Sequence, residues 1–145
     1  MKKAKILIID DEESIRNTFT DFLAKEGYLP WPVADYAGAM KALDSSSFDL
    51  VFTDIVLGSR SGIDILKEIK ARGHHCPVIM ITGLPDVNTA AISVRLNAFD
   101  YIPKPIKREA LIRVTKQALQ HKALLDEKRI VEQENEQYRL HLEAI

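Results

Sequence analysis

The 145-residue chain has one cysteine, Cys76, so no disulfide can form within it, which fits a reducing compartment. Charge of either sign is not in excess: 20 Lys+Arg face 21 Asp+Glu, a formal net charge of −1. That balance leaves no electrostatic footprint for nucleic acid or for an anionic membrane surface. The opening Met1-Lys2-Lys3-Ala4-Lys5 has the charge of a signal-peptide start, but the apolar run behind it, Ile6-Leu7-Ile8-Ile9, is cut off by Asp10 and Asp11. A signal core takes roughly 7–15 apolar residues and a spanning helix about 20, and no segment of the chain provides either. A cytoplasmic protein without membrane contact is expected. Repeats and low-complexity tracts are absent too. What is present, 46% apolar and 28% charged residues, is the composition of a folded domain rather than a disordered chain.

From the start to about residue 120, short apolar runs alternate with longer amphipathic stretches. Lys5–Ile9 has strand length and β-branched content. Ile15, Phe19, Phe22 and Leu23 then fall on one helical face, which ends at Gly27. Tyr28–Val33 reads as a second strand, but Pro30 and Pro32 cannot donate to a ladder and place it at a sheet edge. Asp35 caps a helix carrying Ala39, Met40 and Leu43. Leu50–Thr53 is a third strand, ending in Asp54; a glycine-punctuated turn, Gly58 to Gly62, leads to a helix with Ile65, Leu66 and Ile69, stopped by Gly73. Pro77–Ile81 is the fourth strand, closed by Thr82-Gly83. Val87, Ala90, Ala91 and Val94, behind the cap Asp86, are expected to form the inward face of a fourth helix. Phe99–Ile102 is a short fifth strand. This alternation predicts an α/β fold: a doubly wound, five-stranded parallel sheet, flavodoxin-like, of order 2-1-3-4-5.

Between Lys107 and Ile145 there is neither glycine nor proline, and the composition favours helix throughout. Such a helix would be about 58 Å long, more than one domain covers. Leu111, Ile112 and Val114 should pack on the sheet. Beyond about His121 the helix must project, pair or fray. Leu124, Val131, Tyr138 and Ile145 recur every seven residues, with Lys128, Asn135 and Leu142 between them, a 4-3 seam of mixed quality in which one Asn can fix register. We therefore expect a domain over residues 1–120 and a helical, coiled-coil linker over residues 121–145. The chain stops in mid-pattern at Leu142-Glu143-Ala144-Ile145, as a piece of a longer protein would.

In an open parallel sheet, ligands bind at the carboxyl ends of the strands near the switch point. Those ends carry Asp10, Asp11 and Glu12 after strand 1, Asp54 after strand 3, Thr82 after strand 4 and Lys104 after strand 5. Strands 1 and 3 are neighbours in this order, so three aspartates converge. Their mutual repulsion calls for a cation or a lysine. Hard carboxylate oxygens suit Mg²⁺ rather than zinc. A hydroxyl and an ammonium across the same pocket are the groups that hold phosphoryl oxygens. A carboxylate nucleophile, a metal and a phosphate clamp, without an obvious general base, predict acceptance of a phosphoryl group on an aspartate. Singly, each residue also has an ordinary reading: acids commonly follow strands, a threonine caps a helix, Tyr101 fills a sheet and a lysine is solvated. His74-His75-Cys76 cannot easily converge on one ion and read as a surface loop. Trp31, between the two edge prolines, reads as packing.

Ile8-Ile9-Asp10-Asp11-Glu12, Thr53-Asp54, Ile81-Thr82-Gly83 and Tyr101-Ile102-Pro103-Lys104-Pro105 together resemble the receiver domain of two-component response regulators, over roughly residues 4–120. The resemblance implies that Asp54 is the phosphoacceptor and that Mg²⁺ is held by Asp11, Asp54 and the backbone carbonyl of Val56, with Asp10 acting largely through water. It also implies that Thr82 and Tyr101 are the switch residues, that Lys104 pairs with phosphoryl oxygen, and that Lys104-Pro105 is a cis bond. The implied partners are a sensor histidine kinase and a second copy of the chain, met through the C-terminal helix or the helix 4–strand 5–helix 5 face. The implied output is a separate module such as a transcriptional activator with an ATPase unit; no direct nucleic-acid contact is expected of this chain. Gly58 stands where the family usually has proline, so the loop after Asp54 is expected to be more flexible. Val56 and Leu84 are apolar at positions whose side chains often influence hydrolysis in the family, which predicts a long-lived phosphoryl group. Two rivals remain open at this stage: a Mg²⁺-dependent phosphatase with an aspartate nucleophile, although such enzymes resemble an Asp-x-Asp start and here the acids are adjacent, and a pure dimerisation module with a vestigial site.

Overall fold

Runs of five β-branched and large apolar residues are too short to bury a helix but long enough to cross a sheet, and each becomes a strand. The computed structural model describes residues 3–144. Its main elements are β1 (Lys5–Ile9), α1 (Glu13–Lys25), β2 (Leu29–Val33), α2 (Tyr36–Ser45), β3 (Leu50–Asp54), α3 (Gly62–Ala71), β4 (Val78–Thr82), α4 (Val87–Arg95), β5 (Asp100–Pro103) and α5 (Arg108–Ala144). The five strands form one parallel sheet in the order β2-β1-β3-β4-β5, the expected topology. Proline-bearing β2 lies at the edge, paired with β1 alone. Every residue of β3 and β4 is buried, as in a sheet covered on both faces.

Alternate residues of each strand feed opposite layers. Leu7, Ile9, Val51 and Met80 pack with Ala39 and Leu43 of α2 and Ile65, Leu66 and Ile69 of α3. Ile6, Ile8, Phe52 and Ile79 face Phe19 and Leu23 of α1 and Leu111, Val114 and Ala118 of α5. Phe19 meets Phe52 edge to face at 5.9 Å, a favoured aromatic geometry. Trp31 stands over Phe48 in the same way at 5.3 Å. The side chains of Asp35 and Asp86 accept from the amides of Gly38 and Thr89 and cap α2 and α4 as expected.

The sequence reading needs three corrections. β3 and β4 each run one residue further, so Asp54 and Thr82 are the last strand residues rather than the first loop residues. The segment after Asp54 is a small antiparallel hairpin, Val56–Leu57 against Arg60–Ser61, turning through Gly58 at φ +65°. The third concerns α4: Val87 and Val94 are 83% and 73% exposed, while Ile92 and Leu96 pack on the core. Apolar residues lie almost all round this short helix, so its periodicity does not choose a face. Ser93 can be buried because its hydroxyl donates to the Thr89 carbonyl at 2.7 Å.

α5 is continuous. Leu111, Ile112, Val114, Thr115 and Ala118 are buried, and no described residue beyond Ala118 is. Leu124, Val131, Tyr138 and Leu142 of the seven-residue pattern are exposed; Ile145 lies outside the described residues. Lys122 Nζ reaches Asp49 Oδ1 at 3.7 Å, tying the helix to the sheet where it leaves. No helix among the described residues is long and apolar enough to cross a membrane.

Candidate functional site

Parallel neighbours β1 and β3 end side by side, and Asp10, just after β1, and Asp54, the last residue of β3, converge there. Asp10 and Asp54 are 1% and 4% exposed. Lys104, from the segment after β5, extends its ammonium between them, 2.9 Å from Asp10 Oδ2 and 3.0 Å from Asp54 Oδ2, with Glu12 Oε1 at 3.2 Å. The backbone fixes each group. Asp10 Oδ1 accepts from the Glu12 amide at 2.9 Å, and Arg16 Nη1 donates to the Asp10 carbonyl at 2.8 Å. Asp54 Oδ1 accepts from the Val56 amide at 3.2 Å, and Thr53 Oγ1 donates to the Asp54 carbonyl at 3.0 Å. The Lys104 amide donates to the Thr82 carbonyl at 2.7 Å, and the Lys104–Pro105 bond is cis.

Carboxylate oxygens of Asp10, Asp11, Glu12 and Asp54 all lie within 4.8 Å of one another. Such an all-oxygen set suits a hard divalent cation. Asp10 Oδ2 supports that fit: it is buried and ion-paired with Lys104 but has no aligned hydrogen bond, so it retains a free lone pair for a cation. Burial raises the Asp10 carboxyl above its ordinary value, against the pull of the neighbouring Lys104 ammonium and the Glu12 amide, and Asp54 adds to the rise. For Lys104, burial works to lower the ammonium, but Asp10 and Asp54 outweigh it and hold it above the ordinary lysine value.

The sign of the Asp10 shift leads to a prediction. An acid whose folded value is raised binds its proton more tightly when folded. Its ionised form therefore reduces stability above that raised value, and the penalty fades as pH falls through the raised value toward about 3.9, the unfolded one. Asp10→Asn should accordingly raise the midpoint of thermal unfolding at pH 7 by a few degrees, on the order of 1 kcal/mol. The gain should vanish near pH 4; an equal gain at both pH values would show that burial of this charge is not its source.

Thr82 is 1% exposed at the end of β4, and its Oγ1 accepts from the Leu84 amide at 3.0 Å. Tyr101 is half-buried on β5 and lies away from the acids, against the start of α4. Its hydroxyl accepts from the Asp86 amide at 3.1 Å and is 2.9 Å from Thr89 Oγ1. Val56 is half-exposed in the hairpin, joined to Asp54 through its own amide. The structure thus brings Asp10, Asp11, Asp54 and Lys104 into one pocket, sets Thr82 at its rim and keeps Tyr101 outside. Glu12, already placed with Asp10 and Asp11 at the end of strand 1, joins the acidic set and is a further lysine contact. Arg16 had no sequence signal, because its partner is a carbonyl. His74 and His75 do lie in the loop before β4, and Cys76 is buried, its thiol pushed up to about 11 by burial.

A doubly wound sheet with an acid–hydroxyl–lysine set at its carboxyl edge, where such sheets bind ligands, is the arrangement of a receiver domain. The family profile described as response regulator receiver domain matches residues 6–116, and the chain belongs to this family. It is 35% identical over 130 residues to the nitrogen assimilation regulatory protein NtrX of Azorhizobium caulinodans, covering 88% of this chain and 29% of that one. The crystal structure of NtrX from Brucella abortus superposes with a TM-score of 0.83 at 35% identity, covering 90% of this chain and 30% of that one. The solution structure of the beryllofluoride-activated NtrC4 receiver domain dimer gives a TM-score of 0.77 at 28% identity, covering 81% and 98%. The chain thus spans less than a third of the NtrX proteins.

Proposed function

We propose that Asp54 accepts a phosphoryl group from the phosphohistidine of a sensor histidine kinase and that the chain is the input switch of a larger cytoplasmic regulator. The observation that carries this reading is the Lys104 ammonium set between Asp10 and Asp54 at 2.9 and 3.0 Å beside further carboxylates. An Asp54 oxygen attacks phosphorus, the N–P bond breaks, and its electron pair returns to the kinase imidazole, which leaves as the neutral ring because its other nitrogen carries a proton. Asp10, Asp11, Asp54 and the Val56 carbonyl would hold Mg²⁺, which, when bound, neutralises charge on the transferring oxygens. Lys104 follows the charge from the Asp54 carboxylate to the new phosphoryl oxygens. Thr82 gives up the Leu84 amide to donate its hydroxyl to the phosphoryl group, and Tyr101 leaves the Asp86 amide and Thr89 to turn inward. That changes the α4–β5–α5 face, where Val87 and Val94 stand exposed, a local charge event biasing a bistable element.

Residues 1–120 form the receiver unit and 121–145 the linker that carries its state to an output module. The greater length of the NtrX proteins supports a further module, which we take to be a transcriptional-activator output, and the dimeric state of the activated NtrC4 receiver supports a homodimer. The exposed seam of Leu124, Val131 and Leu142 offers a second surface for it. No nucleic-acid or membrane contact is assigned to this chain.

The test is exposure to Mg²⁺ and a small phosphoryl donor or beryllofluoride, following mass and oligomeric state together. Wild type should gain one acid-stable, base-labile phosphoryl group and change its association state; Asp54→Asn should do neither. Val56 and Leu84 carry no polar group to orient water, so the adduct should decay over minutes or longer; a half-life of seconds would remove the lifetime argument. Modification without association change would make the tail a passive linker. Turnover of a small phosphate ester would replace the switch reading with that of a phosphatase.

A further inference from the structure

We infer that the cleft between the projecting part of α5 and the end of the sheet remote from Asp54 binds a phosphorylated aromatic small molecule of the nucleotide class. Where α5 leaves the body it passes the amino ends of β4 and β5 and, with the α3–β4 loop and the end of α4, encloses about 920 Å³. That volume falls within the range of small-ligand sites, roughly 300–1,000 Å³. Pro77, just before β4, and Phe99, just before β5, line the cleft, so it lies a full strand length from the acidic pocket and is independent of the chemistry there.

Charge in the cleft is unlike that of the whole chain. Lys70, Lys128 and Arg129 face it against one carboxylate, Glu132, three cations to one anion in a chain of net charge −1. His74, His75 and His121 add ring N–H donors to the same rim. Lys128 is 3.9 Å from Glu132, beyond hydrogen-bond distance, whereas Arg129 donates to Asp126 at 3.0 Å; both pairs lie at the surface. Ion pairs of this kind yield readily to a stronger acceptor. Phosphate oxygens accept hydrogen bonds and carry charge, which is what lysine, arginine and imidazole N–H groups complement.

The floor of the cleft has the other half of the chemistry. Pro77, Ala98 and Leu125 are apolar, and the Phe99 ring lies 5.3 Å from that of His121, tilted by 47°. A planar base can lie on this surface while its phosphates reach the cations. One wall belongs to the receiver body and the other to the projecting helix, so a bound molecule would join the two and favour one direction of α5.

The experiment is fluorescence anisotropy of a fluorescent ADP analogue with the whole chain in the presence of a chelator, which keeps Mg²⁺-dependent contacts at the acidic pocket out of the measurement. Saturable binding is expected, displaced by unlabelled ADP more effectively than by inorganic triphosphate and weakened by added salt. Lys70→Glu with Lys128→Glu should weaken it at least tenfold at an unchanged unfolding midpoint. Lys128→Glu alone, on an exposed helical turn that tolerates the change, should weaken it about threefold. Absence of saturation by about 1 mM, indifference to both variants, or triphosphate displacing as well as ADP would each overturn the assignment.

Discussion

Lys104→Met should lower stability by roughly 3 kcal/mol at pH 7.5, the usual scale for removing one partner of a buried ion pair. Among the described residues Lys104 is the cation between Asp10 and Asp54, and both carboxylates are nearly shielded from water. Methionine keeps the apolar stem and removes the charge, leaving two buried anions facing each other. The lost contribution has a definite pH dependence. Lys104 is raised above its ordinary value, so its pairing stabilises throughout the range below that value and is lost only as pH climbs through the raised one. The wild type should therefore keep this contribution at pH 7.5 and lose it only under strongly alkaline conditions. In the variant, the Asp10 carboxyl, raised by burial and now without its cation, can take up a proton as pH falls, so the deficit should shrink between pH 7.5 and 4.5. Urea denaturation at the two pH values measures this directly. Added Mg²⁺ should recover part of the deficit at pH 7.5, since the remaining oxygens form a hard-cation set. A deficit equal at both pH values and indifferent to Mg²⁺ would mean that the stem's packing, not the charge, is what Lys104 contributes.

The acidic pocket was legible because its members stand at the ends of apolar runs, and in a parallel sheet those ends share one edge. Asp10, Asp54, Thr82 and Lys104 each follow such a run, and strand order then brings them together. Proline in β2 fixed the edge of that order on covalent grounds alone. Where the sequence misled, two physical outcomes were close in energy. α4 has apolar side chains on nearly every face, so Val87 and Val94 or Ile92 and Leu96 could each have met the core. The choice rests on Ser93, which satisfies its own hydroxyl within the helix, and on tertiary contacts that local pattern does not encode. Tyr101 was legible as a residue but not in its contacts, because its partners Asp86 and Thr89, at the start of α4, precede it by 15 and 12 residues. The cleft beside α5 was invisible for a similar reason: His74 and His75 read as loop until the helix, some fifty residues later, supplied the opposite wall.

Gly62→Ala should be the second severe substitution, for a reason that glycine's conformational freedom does not supply. Gly62 opens α3 with its amide donating to the Ile55 carbonyl at 2.7 Å. A Cβ added there would lie 2.1 Å from the Asp54 carbonyl oxygen, 2.9 Å from its carbon and 3.0 Å from Ile55 Cα. All three are backbone atoms of the segment that carries the proposed phosphoacceptor, so no side chain can swing aside. Relief requires the hairpin and the start of α3 to move off the end of β3, and with them the Asp54 backbone. Overpacking of this kind costs about 1–3 kcal/mol. A displacement of the order of 1 Å at a reacting group can slow its reaction about a hundredfold. Gly58→Ala is the matched control. Gly58 sits at φ +65° with nothing within 4 Å of an added Cβ, so alanine there costs about 1–2 kcal/mol of left-handed backbone strain without pressing on Asp54. The two variants should thus lose comparable stability in urea denaturation, while phosphoryl uptake from a small donor collapses in Gly62→Ala and stays near wild type in Gly58→Ala. Equal uptake by both would mean that Asp54 does not depend on the close approach of Gly62, and that the hairpin can shift independently of the strand it follows.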